Sequence, residues 1–193
     1  EVRAMHPLVS IEKIDFYLMF PIIVFFIMSL PTMTHSLWWD EAWTMRYVNS
    51  WKSMFSPDYS NNHLLNTFLI KVFITIIGER EWVIRLPALF SGLVTLIGVY
   101  FLTKQVEKSV WFALFSALTT ATSYGIIFNS INARGYGFIM AVSVWSAIIF
   151  VNTITNKSLS KEHAILLFLF TTLGIIAIPI SALSIIAFLI PFI

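Results

Sequence analysis

Five stretches of this chain contain no Asp, Glu, Lys or Arg: residues 16–39, 86–103, 109–133, 135–156 and 164–193. A helix that spans a bilayer needs roughly 17–25 predominantly apolar residues. The first four stretches each fit one span. The last is long enough for one span and most of another, with Pro179 and Ser181 marking the break. The expected fold is therefore all-α, a polytopic transmembrane helical bundle of five to six spans with the sixth cut short. Composition agrees. Charged residues make up 11% and hydrophobic residues 58%, against about 25% and 45–50% in soluble domains. A soluble globular enzyme is disfavoured, and an aromatic content of 16% excludes disorder. A net charge of +2 gives no argument for nucleic acid as a partner. The absence of cysteine removes disulfides, thiolate nucleophiles and Cys-based metal sites. The first apolar run lacks a small-residue cleavage site, so it reads as a span and not as a cleaved leader. The chain opens on Glu1 and stops within an apolar run at Ile193, and is read as a portion of a longer protein.

Residues 64–78 are apolar except for Asn66, Thr67, Lys71 and Thr75. His63, Thr67, Lys71 and Thr75 recur every four residues, which places them on one helical face. Such a helix lies in the membrane interface or lines a polar cavity. A Lys at the centre of a spanning helix costs roughly 2.5–3.5 kcal/mol, which favours the interface. The segments with Arg3 and Lys13, with Lys104 and Lys108, and with Lys157 and Lys161 then share one side. Short Lys/Arg-bearing loops mark the cytoplasmic side. Residues 32–85 become one long outer loop, with 129–137 and the Pro179 region as further outer turns. Trp43, Tyr47, Trp51 and Phe55 repeat at four-residue spacing after Asp40, as an aromatic stripe at headgroup depth would. Ser56-Pro57-Asp58 and Asn61-Asn62 are turn signals. The loop is expected to hold two juxtamembrane amphipathic helices.

Several outer-side residues carry chemistry or have ordinary structural roles. Asp40 and Glu41 follow Trp38 and Trp39: they cap a helix start, or they hold a carboxylate at the surface as a general base. His63 lies in a turn after two Asn and has no second ligand at zinc spacing. Arg85, before Pro87, either snorkels to the headgroups or meets a ligand, with Pro87 in the first helical turn. Arg134 on the outer side opposes the usual charge bias. Its planar donor fork suits a phosphate.

In their order and spacing these blocks resemble the GT-C membrane glycosyltransferases of the protein O-mannosyltransferase-like group (glycosyltransferase family 39 and its bacterial relatives). The blocks are Asp40-Glu41 after the first span, Asn62-His63 through Gly78 and Trp82 to Arg85-Leu86-Pro87, and residues 130–136. The resemblance covers about residues 37–152. The third block has Ile131 and Asn132 where relatives often have Gln and Glu, and Leu64 follows the His where Pro is common. Some relatives place an Arg three residues after the Asp of the acidic pair. Trp43 stands there, and the nearest Arg is Arg46.

The resemblance implies a multi-pass cell (inner) membrane enzyme with its active site on the outer, periplasmic side. It would transfer a sugar from a polyprenyl-phosphate donor to a glycan, lipid or protein acceptor by a single inverting displacement. Asp40 would be the base or acceptor-positioning carboxylate, with Glu41 supporting it. Arg85 and Arg134 would meet the phosphate. His63, Lys71, Arg46 and Tyr136 are further substrate-side candidates. No cofactor is required if these cations stabilise the leaving group, and a divalent metal is left open. Two rivals stand beside this reading. A transporter or flippase of a lipid-linked substrate predicts ionisable residues near the bilayer midplane, and the five stretches hold none. A non-catalytic scaffold of the same fold is compatible with the altered third block.

Overall fold

The computed structural model describes residues 16–55 and 63–178. Arg3 and Lys13, the turn signals at 56–58 and 61–62, and the Pro179 break with the sixth span fall outside the described residues. Every regular element among the described residues is helical. They are α1 (Met19–Ser29), extended at its ends by the 3-10 turns Phe16–Leu18 and Leu30–Thr32, then α2 (Trp39–Val48), α3 (Trp51–Met54), α4 (Leu64–Ile77), α5 (Glu81–Glu107), α6 (Val110–Thr122), α7 (Tyr124–Ile131), α8 (Tyr136–Asn156) and α9 (Lys161–Ala177).

The 27-residue α5 is about 40 Å long at 1.5 Å per residue, and α4, α6, α7 and α8 all pack on it. Small residues let them approach. A Cβ on Gly92 of α5 would fall 1.9 Å from Ser130 Oγ and 2.6 Å from Ser130 Cβ. A Cβ on Gly137 of α8 would fall 2.0 Å from Ser91 Oγ, and one on Gly98 would fall 2.7 Å from Val144. On α6 the buried residues are Ala113, Ala117 and Ala121, one per turn, packed with Phe25, Leu96 and Tyr100. Its outward Trp111, Phe112 and Phe115 are 60–73% exposed. Small side chains inside and large apolar ones outside are what a helix in lipid needs, because close backbone packing replaces the hydrophobic drive available in water.

Among the described residues two helices, α5 and α8, are long and apolar enough to cross a membrane, and the bent pair α6–α7 makes a third if it counts as one span. The expectation of five to six spans was based on charge-free length, and helix length is shorter. Residues 16–32 form a 17-residue helical run. The rest of that first stretch turns away before α2 starts at Trp39. The third stretch bends by 57° at Ser123. There the hydroxyls of Thr119, Thr120 and Thr122 donate to the carbonyls four residues back at 2.9, 2.8 and 2.9 Å. Such back-bonding bends helices, and Ser123 leaves the helical region with ψ 123°. The 17-residue α9 begins on Lys161 and Glu162.

Two local expectations are corrected. Helix α5 begins at Glu81, so Pro87 lies in its second turn and Arg85 is buried, not snorkelling. The aromatic stripe is not continuous: the chain leaves the helix at Asn49 and Ser50, Tyr47 turns inward at 5% exposure, and Trp51 and Phe55 face out. Ser50 caps the one-turn α3 by accepting from Ser53 N at 3.0 Å.

The turns after α5 and α8 lie together at one end of the assembly. Gln105 Nε2 donates to Asn152 Oδ1 at 2.7 Å near that end, and Lys108 and Lys157 terminate the two helices there. The opposite end gathers α2, the start of α4, the start of α5 and the 132–135 turn.

Packing at Gly92 sets the first expected outcome. Gly92→Ala should lose about 1–3 kcal/mol through overpacking, seen as a lower melting temperature in detergent. Adding Ser130→Gly should restore part of the loss, since it removes both clashing atoms.

Candidate functional site

Glu41 lies in the first turn of α2 and is fully buried. Its Oε2 accepts from the Trp38 main-chain N–H at 2.9 Å, satisfying a helix-start donor. The same oxygen accepts from Arg85 Nη2 at 2.6 Å, and Oε1 accepts from Arg85 Nε at 2.9 Å. Oε1 also accepts from the Ala133 N–H at 2.9 Å. One carboxylate thus joins α2, α5 and the 132–135 turn.

Arg85, 1% exposed, completes the knot. Its Nη1 donates to the carbonyls of Thr32, Met33 and His35 at 3.1, 2.9 and 2.8 Å, and Nη2 to Ser36 at 3.2 Å. These carbonyls follow α1, where a helix end leaves acceptors unpaired. Every guanidinium nitrogen of Arg85 is engaged with the protein. Its geometry is therefore that of a brace joining α1, α2 and α5.

Asp40 is the neighbour of Glu41 but points elsewhere. Its side chain is 47% exposed, and Oδ2 accepts from Arg134 Nη1 at 2.6 Å. Arg134 is itself nearly buried, and its Nε donates to His63 Nε2 at 3.2 Å. The His63 ring meets Tyr136 edge-on with centroids 5.1 Å apart, and the Arg134 guanidinium lies 5.3 Å from the Tyr136 ring centre. Beneath them Val48, Ile70, Ile84 and Ala133 form a small apolar core. Burial first, and the Arg134 charge second, push the His63 imidazole down to about 4 from its ordinary 6.5, against the pull of the Ala177 carbonyl and Asp40.

The structure thus brings together Asp40, Glu41, Arg85, Arg134, His63 and Tyr136. It sets Lys71 and Arg46 to other tasks. Lys71 Nζ donates to the Val48 carbonyl at 2.6 Å and lies 5.5 Å from the Trp51 ring centre, so it fastens the end of α2 to α4. Arg46 stacks over Trp43 at 4.1 Å. Asn132 lines a hollow of about 60 Å³ beside Arg85. A carboxylate at 132 would add charge next to a pair already balanced, and the neutral amide does not. Among the described residues no three His, Asp or Glu side chains gather as a metal site needs.

An apolar groove of about 560 Å³ runs between α4, α5, α8 and α9, lined by residues including Leu65, Phe90, Phe138, Trp145 and Leu173. Leu65 and Phe138 each lie two residues past His63 and Tyr136, and Leu173 one turn before Ala177. The groove's lining on these three helices therefore begins within about one helical turn, along the chain, of residues in or touching the charged cluster. No spacing in the sequence announced it, because its walls come from four separate segments. The Ala133 N–H, the 32–36 carbonyls and the Ala177 carbonyl were equally hidden, since any residue type supplies them.

Comparison of the chain with family models, curated proteins and solved structures finds no match.

Two outcomes follow for stability. Removing either partner of the Glu41–Arg85 pair, by Glu41→Ala or Arg85→Ala, should cost about 3–5 kcal/mol because the other charge is left buried. Asp40→Asn, at the half-exposed pair, should cost about 1 kcal/mol or less. Denaturation in detergent separates the two cases. A pH dependence also follows. His63 stays neutral in the fold down to about pH 4, whereas its unfolded value is 6.5, so the unfolded chain binds the proton first. Stability should be full above about 6.5 and fall as pH drops toward about 4. His63→Gln should flatten that slope in a melting-temperature series.

Proposed function

We propose that the chain is that of a GT-C-type membrane glycosyltransferase, polytopic in the cell (inner) membrane. In this reading the lysine-bearing turns face the cytoplasm and the Asp40–Arg134 end faces the outer, periplasmic side. The substrates are a polyprenyl-phosphate-linked sugar and a glycan, lipid or protein acceptor. The observation that carries the reading is a half-exposed carboxylate paired to a guanidinium, with a charge-free groove whose lining begins a few residues along the chain from the pair's neighbours His63 and Tyr136. An amphiphile with an anionic head and a long hydrocarbon tail has the shape and polarity for that arrangement. The block resemblance in the sequence points to the same class.

The chemistry is a single displacement. The acceptor hydroxyl attacks the anomeric carbon and gives its proton to Asp40. The bond from the anomeric carbon to the phosphate oxygen breaks, and the lipid phosphate leaves with the electron pair. Arg134 stabilises the charge that grows on that oxygen, an interaction stronger in the transition state than in the ground state. A phosphate arriving at Arg134 competes with Asp40 for the same guanidinium. Glu41 and Arg85 take no part in proton transfer here and hold the two working residues in register.

The test is sugar transfer by the purified membrane protein from polyprenyl-phosphate-linked sugars. Asp40→Asn should lower turnover by about 10²–10⁴-fold with its melting temperature kept. Arg134→Ala should lower kcat/KM, and Val142→Phe, which narrows the groove, should raise KM for the lipid donor. Unchanged turnover by folded Asp40→Asn would sink the catalytic assignment. Transfer by no donor at all would leave the scaffold reading standing.

A further inference from the structure

We propose that His63 is a positioning residue: it orients Arg134 from within the protein, and the end of α9 holds it in place. The inference rests on the transferase reading for its consequence, but its geometry stands apart from it.

The ring is 6% exposed, so it has little surface to offer a substrate. Its contacts are with the protein on each side. Nε2 accepts from Arg134 Nε at 3.2 Å. An imidazole that accepts at Nε2 and is neutral carries its proton on Nδ1. The Ala177 main-chain carbonyl, the last of α9, is a hydrogen-bond partner of the ring and suits that tautomer. The slot is built to size. A Cβ on Gly135 would lie 3.0 Å from His63 Cβ, 3.1 Å from its Nδ1 and 3.1 Å from the Ala177 oxygen. A side chain at 135 would press on both the ring and the carbonyl and force them to give by a few tenths of an ångström. The charged groups facing the ring are Arg134 and Asp40.

The result is a guanidinium whose plane is set at two atoms, Nε by His63 and Nη1 by Asp40. Four distant segments must agree for this: the start of α2, the start of α4, the 132–135 turn and the end of α9. Phe170 and Leu173 of that same α9 line the groove. The wall that meets a lipid tail and the carbonyl that steadies the cation's partner thus belong to one helix. A residue acting this way touches no reacting atom, and its effect on turnover runs entirely through Arg134.

A double-mutant cycle on the full chain tests this. His63→Ala should lower kcat/KM by about 10²-fold, the loss expected from roughly 1 Å of misplacement. The loss should vanish in an Arg134→Ala background. His63→Gln, whose amide oxygen can accept from Arg134 Nε, should recover activity to within about tenfold of the unchanged protein. Gly135→Ala should lower kcat/KM in the same direction while removing no polar group. Losses from His63→Ala and Arg134→Ala that multiply would overturn the proposal, since His63 would then act on substrate directly. A second arm needs no substrate. Nitrogen NMR of the His63 ring should show Nδ1 protonated and Nε2 bare between pH 8 and pH 6, with the tautomers mixing in Arg134→Ala. A proton on Nε2 would overturn the proposal whatever the activity. If the unchanged chain transfers no sugar, the transferase reading falls, and the ring spectrum alone decides on His63.

Discussion

The buried Glu41–Arg85 pair is the constraint on which this end of the molecule depends. Taking a carboxylate and a guanidinium out of water is expensive, and their attraction repays it only when the remaining donors and acceptors are also satisfied. Here they are. Two main-chain N–H groups complete the carboxylate, and four carbonyls beyond α1 complete the guanidinium. The pair therefore solves three helix-end problems at once: unpaired acceptors after α1, an unpaired donor at the start of α2, and the anchoring of a turn between α7 and α8. Because it is satisfied internally, the half-exposed carboxylate at this end is that of the adjacent Asp40, which points out of the same helix turn.

Much of the fold was legible in the pattern of missing charges. The second and fourth stretches became α5 and α8 with little adjustment, since nothing in them interrupts a helix. The third stretch did not, because Thr119, Thr120, Thr122 and Ser123 carry no charge and so leave the stretch unbroken on paper while bending the backbone. The aromatic spacing after Asp40 fitted one helix, and the Asn49-Ser50 break with the burial of Tyr47 reflects packing against α4 that no local pattern encodes. The start of α5 was placed a turn late for a similar reason. Glu81 and Arg85 looked like loop charges, whereas one begins the helix and the other is paired within it.

The site was partly legible. Asp40, Glu41, His63, Arg85, Arg134 and Tyr136 were all named from the chain, and the fold brings them together across separations of up to 94 residues. What seals some of them and leaves others open was not readable. Glu41 and Asp40 are adjacent and both acidic, yet one is sealed and the other half-open. Arg85 and Arg134 differ in the same way. What separates them is main chain: the carbonyls of 32–36, the N–H of Ala133 and the carbonyl of Ala177 have no signature in side-chain identity.

The span of the Glu41 contacts also bears on how the protein is made. Glu41 meets Arg85 after 44 further residues and Ala133 after 92. During synthesis, α1 and α2 therefore emerge with a carboxylate that has only the Trp38 N–H and with a row of carbonyls that still lack the Arg85 guanidinium. Water must serve them until α5 arrives, and the carboxylate is complete only when the turn before α8 has been added. The N-terminal helices are joined to α5 first and to the turn before α8 only after α6 and α7 have been made, so the order of translation sets the order in which this end of the molecule closes.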